Sequence, residues 1–269
     1  MTDYTATSSD GSAWITGASS GIGRAVALEL AKAGFKVAVT ARSAEALESL
    51  AGEATGLAGS IHAYPGDVTD AAAMAAIAAS IEAELAPLAL VIANAGVYIP
   101  VDGLNGSAEA YAQTFDVNLK GTVHVVLPAI AAMKGRGRGQ IAIVASVAGY
   151  SGLPTSAAYG ATKAGLINLA ESLKFDLDRV DIRIQVVSPG FVDTPATKEN
   201  PFPMPHLMPV EEAAKAFVAG LRARKGFEIS FPKAFVRQLK FLRLLPYSLY
   251  FPLVAKATGW SRKGRGGDV

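Results

Sequence analysis

Apolar residues fall in short unbroken runs, such as Ala13-Trp14-Ile15, Val37-Ala38-Val39 and Ile141-Ala142-Ile143-Val144. Between them lie longer stretches in which apolar side chains recur every three to four positions. Short continuous runs suit strands covered on both faces, and the wider spacing suits helices with one buried side. The pattern predicts strands over 12–17, 36–41, 59–64, 89–94, 139–145, 182–188 and 227–231. It predicts helices near 21–33, 43–51, 70–85, 107–133, 155–180 and 210–224. Strands alternating with helices imply right-handed crossovers and an α/β fold, a doubly wound parallel sheet in a single domain. The expected organisation is a flexible N-terminus over 1–11, the α/β domain over 12–231, and a helical C-terminal extension over 232–269.

Composition narrows the class without choosing a function. A chain of 269 residues with 51% hydrophobic residues can bury one substantial core. It has no cysteine, so disulfides and thiolate chemistry are excluded, and a reducing cytoplasm is the expected setting. No apolar run reaches the ~18 residues of a membrane span, and Met1 to Ser12 lacks the apolar stretch of a signal peptide. His62, His124 and His206 have no metal-ligand spacing, so no metal site is expected. The basic stretch Lys134-Gly-Arg-Gly-Arg-Gly139 precedes a strand and reads as a solvated loop, with no nucleic-acid partner implied. Charge is divided unevenly. Residues 1–220 carry 14 Lys/Arg against 21 Asp/Glu, whereas residues 221–269 carry 11 against 2.

Two motifs carry chemistry. Thr16-Gly-Ala-Ser-Ser-Gly-Ile-Gly23 follows an apolar strand and opens a helical stretch. That strand–turn–helix context suits a dinucleotide, because glycines let backbone N–H groups approach a pyrophosphate at the helix N-terminus. Further on, Tyr159 and Lys163 stand four apart, one turn apart on one helix face. At about 4 Å and an effective dielectric near 20, an ammonium beside a phenol is worth roughly 4 kcal/mol, or about three pK units. Lys163 is therefore expected to lower the Tyr159 pKa toward neutrality, where a proton-transfer catalyst works best.

With these motifs stand Asp67, Asn94-Ala95-Gly96, Asn118, Ser146 and the run Pro189-Gly190-Phe-Val-Asp-Thr194. The set, over residues 10–225, resembles the short-chain dehydrogenase/reductase family in its branch of about 250 residues, and so implies a Rossmann-like sheet. The resemblance implies a catalytic set of Asn118, Ser146, Tyr159 and Lys163. Tyr159 would pass its proton to a carbonyl oxygen while Ser146 hydrogen-bonds that oxygen. Lys163 would hold the nicotinamide ribose, and Asn118 would fix a water leading to it. Gly17, Ser19, Ser20, Gly21, Ile22 and Gly23 would bind the pyrophosphate, and Asp67 and Val68 would flank the adenine. Asn94, Ala95 and Gly96 would form the turn under the cofactor. Pro189, Gly190, Val192 and Thr194 would reach the nicotinamide. Departures from the family pattern are Ala93, Thr162 and the C-terminal end, which puts the usual tetramer in doubt and leaves a homodimer as the implied assembly.

Arg42 ends the second strand where NAD-preferring members carry aspartate one position earlier, at Ala41. Its planar fork suits a 2′-phosphate, so NADP(H) is the expected cofactor. The expected reaction is reduction of a ketone or aldehyde to an alcohol. Competing readings are an NADP(H)-binding sensor or scaffold without turnover, and a non-redox reaction on the same fold. The segment Pro195–Pro209 reads as a lid, with Phe202, Met204, Leu207 and Met208 offering apolar contact to the substrate.

In the extension, Phe235, Leu239 and Leu242 recur at helical spacing, with Lys233, Arg237 and Lys240 on another face. Pro246 is expected to end that helix and Pro252 to interrupt the stretch beyond it. Two uses fit this pattern: packing over the substrate pocket or a dimer partner, and peripheral contact with a membrane surface.

Overall fold

A computed structural model describes residues 3–198 and 204–260. Seven strands form one parallel sheet: β1 (Ser12–Thr16), β2 (Lys36–Thr40), β3 (Ser60–Ala63), β4 (Leu88–Ala93), β5 (Gly139–Val144), β6 (Ile182–Pro189) and β7 (Glu228–Phe231). Their order is β3-β2-β1-β4-β5-β6-β7. The winding reverses between β1 and β4. Such a switch point opens a crevice beyond the carboxyl ends of the strands, where ligands of open α/β sheets bind.

The helices are α1 (Gly21–Lys32), α2 (Ala44–Glu53), α3 (Ala71–Ser80), α4 (Ala108–Phe115), α5 (Gly121–Lys134), α6 (Ala157–Leu177), α7 (Val210–Arg222), α8 (Lys233–Arg243) and α9 (Tyr247–Ala257). Alternation along each strand feeds two apolar layers. Ile15 and Val39 pack with Leu30 and Leu47 on one face, together with Phe217 of α7. Trp14 and Val91 pack with Met74, Val125 and Leu166 on the other. The Trp14 indole is fully buried and donates to Thr40 Oγ1 at 2.9 Å, which satisfies its one polar atom.

Three expectations are corrected. The N-terminus is docked along residues 3–11: the Ala6 backbone N–H donates to Gln140 Oε1 at 2.9 Å, and Arg183 Nη1 donates to the Tyr4 carbonyl at 3.2 Å. Both partners, Gln140 and Arg183, are buried in the body of the domain. The stretch predicted as one helix over 107–133 contains a wider π-type turn over Asp116–Lys120, which joins α4 to α5 and carries Asn118. Finally, Pro246 ends α8, but Pro252 lies within α9. An internal proline forfeits one backbone hydrogen bond. Here Tyr250 and Val254, one turn apart and buried, hold the helix to the body across that defect.

Candidate active site

The first turn after β1 is shaped by backbone, not side chains. Gly17 and Gly21 adopt φ of +68° and +55°, in the left-handed region that favours glycine. A Cβ on Gly23 would lie 2.4 Å from the Gly17 carbonyl oxygen, so only glycine lets α1 begin this close to the turn. The Asn94 amide after β4 donates to the carbonyls of Thr16 and Gly17 at 3.0 and 3.2 Å, fastening the two strand ends across the switch point. Ser19, Ser20, Gly21 and Ile22 line the cavity that starts here, with α1 presenting its N-terminus and no acidic residue in its first turn. An anion is favoured at such a helix end.

The cavity, about 750 Å³, runs along the carboxyl ends of the strands. Arg42, exposed at the end of β2, borders it together with Asp67 and Val68 beyond β3. The Asp67 carboxylate accepts from the backbone N–H and hydroxyl of Thr69, both at 2.9 Å. Its pKa is held below the usual carboxylate range by that backbone bond first, and also by the Thr69 hydroxyl and Arg42. Ala95, Gly96, Pro189, Gly190, Val192 and Thr194 also line the cavity. Val192 pairs with Met208 in an isolated bridge, and its carbonyl accepts the Thr197 hydroxyl at 2.6 Å, so this oxygen is already engaged.

Elsewhere along the cavity, Ser146, Tyr159 and Lys163 come together. Ser146 follows β5 in extended backbone, and its Oγ accepts the Ala148 N–H at 3.1 Å. Its hydroxyl donates to the Pro189 carbonyl at 3.5 Å, and both Ser146 and Tyr159, which stands on α6, line the cavity. The turn after Ser146 packs directly on α6: a Cβ on Gly149 would lie 2.7 Å from the Lys163 carbonyl carbon. Lys163, only 3% exposed, donates from Nζ to the Val144 carbonyl at 2.8 Å, and its Nζ lies 5.5 Å from the centre of the Tyr159 ring.

This geometry corrects one electrostatic expectation. The Tyr159 hydroxyl pKa is raised, by burial first, against a smaller lowering by the nearby Ser146 hydroxyl. Lys163 sits by the ring and is bonded to a backbone carbonyl, so it does not bring the phenol down in this state. Its own pKa is lowered to about 8 by burial.

Asn118 does not line the cavity. It stands behind Gly96 in the wide turn before α5, where its Oδ1 accepts the Val97 N–H at 2.7 Å. Its Nδ2 donates to the Val97 carbonyl at 2.9 Å and to Thr162 Oγ1 at 3.2 Å. Thr162 in turn donates to the Tyr159 carbonyl at 2.7 Å. Asn118 thus ties the β4 turn to the helix carrying the Tyr–Lys pair.

Several contributors were not foreseen from the sequence. Tyr98 meets Tyr159 edge-on at 5.0 Å between ring centres, and its hydroxyl lies 3.2 Å from Thr155 Oγ1. Leu153, Pro154, Phe191 and Gln238 also line the cavity. Phe191 lies within the quoted 189–194 run, but no local motif flags the others, which converge from separate loops and from α8. Of the lid, Phe202 falls outside the described residues, while Pro195, Ala196, Thr197 and Pro205 border the cavity. Met208 instead anchors the segment on Val192 and packs against the core. From the extension, Phe235, Leu239 and Leu242 face the cavity as their spacing suggests, joined by Val254 and Trp260.

A profile of the family described as short chain dehydrogenase matches residues 12–202, which span β1 to the loop after β6. The chain belongs to the short-chain dehydrogenase/reductase family. It is an oxidoreductase, and its family uses nicotinamide dinucleotides. An uncharacterised oxidoreductase from Myxococcus xanthus is 35% identical over 238 residues, covering 88% of this chain and 94% of the relative. The 3-oxoacyl-[acyl-carrier-protein] reductase FabG of Thermotoga maritima is 34% identical over 187 residues, covering 70% and 76%. A solved short-chain type dehydrogenase/reductase from Mycobacterium marinum superimposes with a TM-score of 0.76 at 28% identity, covering 83% of this chain and 94% of that one.

Proposed function

We propose that this oxidoreductase uses NADPH to reduce an apolar ketone or aldehyde to an alcohol, with Tyr159 as the general acid. The observation that carries this reading is the convergence of Ser146, Tyr159 and Lys163 on one cavity, with Lys163 buried 5.5 Å from the centre of the Tyr159 ring. Both hydroxyl groups line the cavity, so a substrate carbonyl bound between them would have two donors for the negative charge that develops on its oxygen. When bound, the dihydronicotinamide supplies a hydride to the carbonyl carbon. Tyr159 gives its hydroxyl proton to the carbonyl oxygen, and Ser146 orients that oxygen. Lys163 presents its ammonium to the ribose, and Asn118 keeps α6 in register with the β4 turn. The glycine turn, the α1 N-terminus and Thr194 hold the rest of the dinucleotide. Burial raises the Tyr159 pKa, so the hydroxyl keeps its proton at neutral pH, which suits reduction.

Arg42 supports the choice of NADPH, since it borders the cavity at the end of β2 with no acidic residue at Ala41. Charge-assisted bonds to a phosphate are worth about 1.5–3 kcal/mol. Arg42→Asp is therefore expected to lower the NADPH-over-NADH ratio of kcat/KM by roughly 100-fold, measured with one substrate and both cofactors. An unchanged ratio would remove Arg42 from the cofactor site.

The apolar substrate rests on Leu153, Pro154, Phe191, Phe235, Leu239 and Leu242, which line the cavity. The name of the Thermotoga relative, a 3-oxoacyl reductase, points to a ketone as well. The deciding experiment is a panel of aliphatic, aromatic, steroid and long-chain acyl ketones and aldehydes, with turnover read as NADPH oxidation. A preference for small charged keto acids would overturn the apolar reading; tight NADPH binding without turnover on any member would overturn the enzymatic one. We place the enzyme in the cytoplasm as a homodimer, on the strength of the family resemblance and the absence of cysteine.

A further inference from the structure

We propose that α8, α9 and the turn between them form a docking surface for an anionic lipid bilayer. Three observations carry it. First, large apolar side chains that neither line the cavity nor enter the core are concentrated over residues 241–253. Phe241 is 63% exposed, Leu244 80%, Tyr247 77% and Phe251 60%, and Leu249 and Leu253 are also exposed. Tyr247 and Phe251 stack one turn apart, 5.6 Å between ring centres, and Leu249 and Leu253 form a second strip. The two strips flank the buried strip of Tyr250 and Val254, so α9 is seated on the body with apolar margins facing outward. Tyrosine and phenylalanine beside leucine suit a headgroup–acyl boundary, where aromatic rings sit well.

Second, the charge around this patch has one sign. No Asp or Glu occurs from residue 229 to residue 267. Lys240 is engaged with Glu228 of β7, and Lys233, Arg237, Arg243 and Lys256 are exposed around the same two helices. Each basic residue near an anionic membrane surface contributes about 1 kcal/mol. The body over 1–220 carries more acids than bases, which would turn it away from such a surface and fix the orientation.

Third, this charge pattern argues against a second copy as the occupant. A two-fold interface brings the same patch of both subunits together, and here it would set arginines and lysines against their own images with no carboxylate to answer them. Among the described residues no helix is long and apolar enough to cross a membrane, so the contact is peripheral. Val254 of α9 also lines the cavity, which places the lipid surface one helix away from the site.

The test uses the full chain and vesicles of phosphatidylcholine alone or mixed equally with phosphatidylglycerol. The chain is expected to pellet with the mixed vesicles at low salt and to stay in the supernatant with phosphatidylcholine alone. The double variant Leu244→Asp/Phe251→Asp should reduce partitioning roughly tenfold or more. It should retain the circular dichroism spectrum and NADPH affinity of the parent chain, because neither side chain lines the cavity. No pelleting with the mixed vesicles, or undiminished pelleting of the double variant, overturns the proposal. So does sedimentation velocity showing an oligomer that this variant dissolves, since the patch would then be a protein interface. None of these readouts depends on turnover, so the proposal and the reductase reading can fail separately.

Discussion

Tyr159→Phe should lower kcat for carbonyl reduction by a factor on the order of a thousand or more while leaving NADPH affinity nearly unchanged. Proton transfer by a positioned side chain contributes typically 10²–10⁴. In the proposed mechanism the lost hydroxyl is also one of the two donors to the carbonyl oxygen. The ring itself stays where it is: its edge contact with Tyr98 at 5.0 Å uses carbon, not oxygen. Single-turnover kinetics with saturating NADPH, together with fluorescence titration of cofactor binding, separate the two effects. A variant that keeps more than a tenth of the parent rate would remove Tyr159 from the chemistry. The pH profile of the parent enzyme adds a second reading. Because burial raises the phenol pKa, the proton donor persists through neutral pH, so reduction should not fall there for want of its proton. Alcohol oxidation in the same site needs the deprotonated group and should rise with pH.

Much of this arrangement is legible before folding because it depends on period and spacing. The apolar runs within β1, β2, β4 and β5 mark those strands to within a residue, since a strand covered on both faces has no polar side to blur its limits, whereas β3, β6 and β7 mix polar residues among their apolar ones. Tyr159 and Lys163 share a face because a helix repeats every 3.6 residues. Glycine positions report backbone approach, and Gly23 and Gly149 each stand where a Cβ would strike another segment.

What the sequence hides is what depends on distance in space. Tyr98 and Gln238 reach the cavity from loops and helices with no local signature. The clamp that seats α8 is of the same kind: the Tyr150 hydroxyl and Lys240 ammonium both donate to Glu228, uniting the turn after Ser146, α8 and β7. The Tyr250 hydroxyl adds a bond to the Gly152 carbonyl at 2.7 Å, so α9 grips the same turn. Charge counting marked the extension as different from the body but could not show that it holds the turn after Ser146. The Tyr159 ionisation was misjudged for a related reason. Sequence separation sets the Tyr–Lys spacing but not the burial of the hydroxyl, and burial is the larger effect here.

Lys163→Met should make the cofactor-free protein more stable while abolishing activity. Burial lowers the Lys163 pKa from 10.5 to about 8, which means the folded state disfavours the ammonium that the unfolded chain carries freely. At about 1.36 kcal/mol per pK unit, that gap corresponds to a cost of roughly 3 kcal/mol at neutral pH. Methionine has a similar unbranched reach and no charge to desolvate. Against this gain stands the loss of the hydrogen bond to the Val144 carbonyl, about 1 kcal/mol. A net gain of about 2 kcal/mol remains, enough to raise Tm by several degrees in a chain of this size.

The sign can be checked by pH. Below pH 8 the lysine is charged in both states and the full cost applies. Between pH 8 and about 10.5 the folded protein releases its proton first, so the unfolded chain binds more protons and stability rises with pH. The advantage of the methionine variant should therefore shrink across that window. Urea unfolding of both proteins at pH 7 and pH 10 measures it. A variant less stable than its parent at pH 7, or one whose advantage does not change between the two pH values, would show that Lys163 is held without strain. A lysine kept at such a cost is consistent with a group retained for what it does to a bound cofactor rather than for the fold.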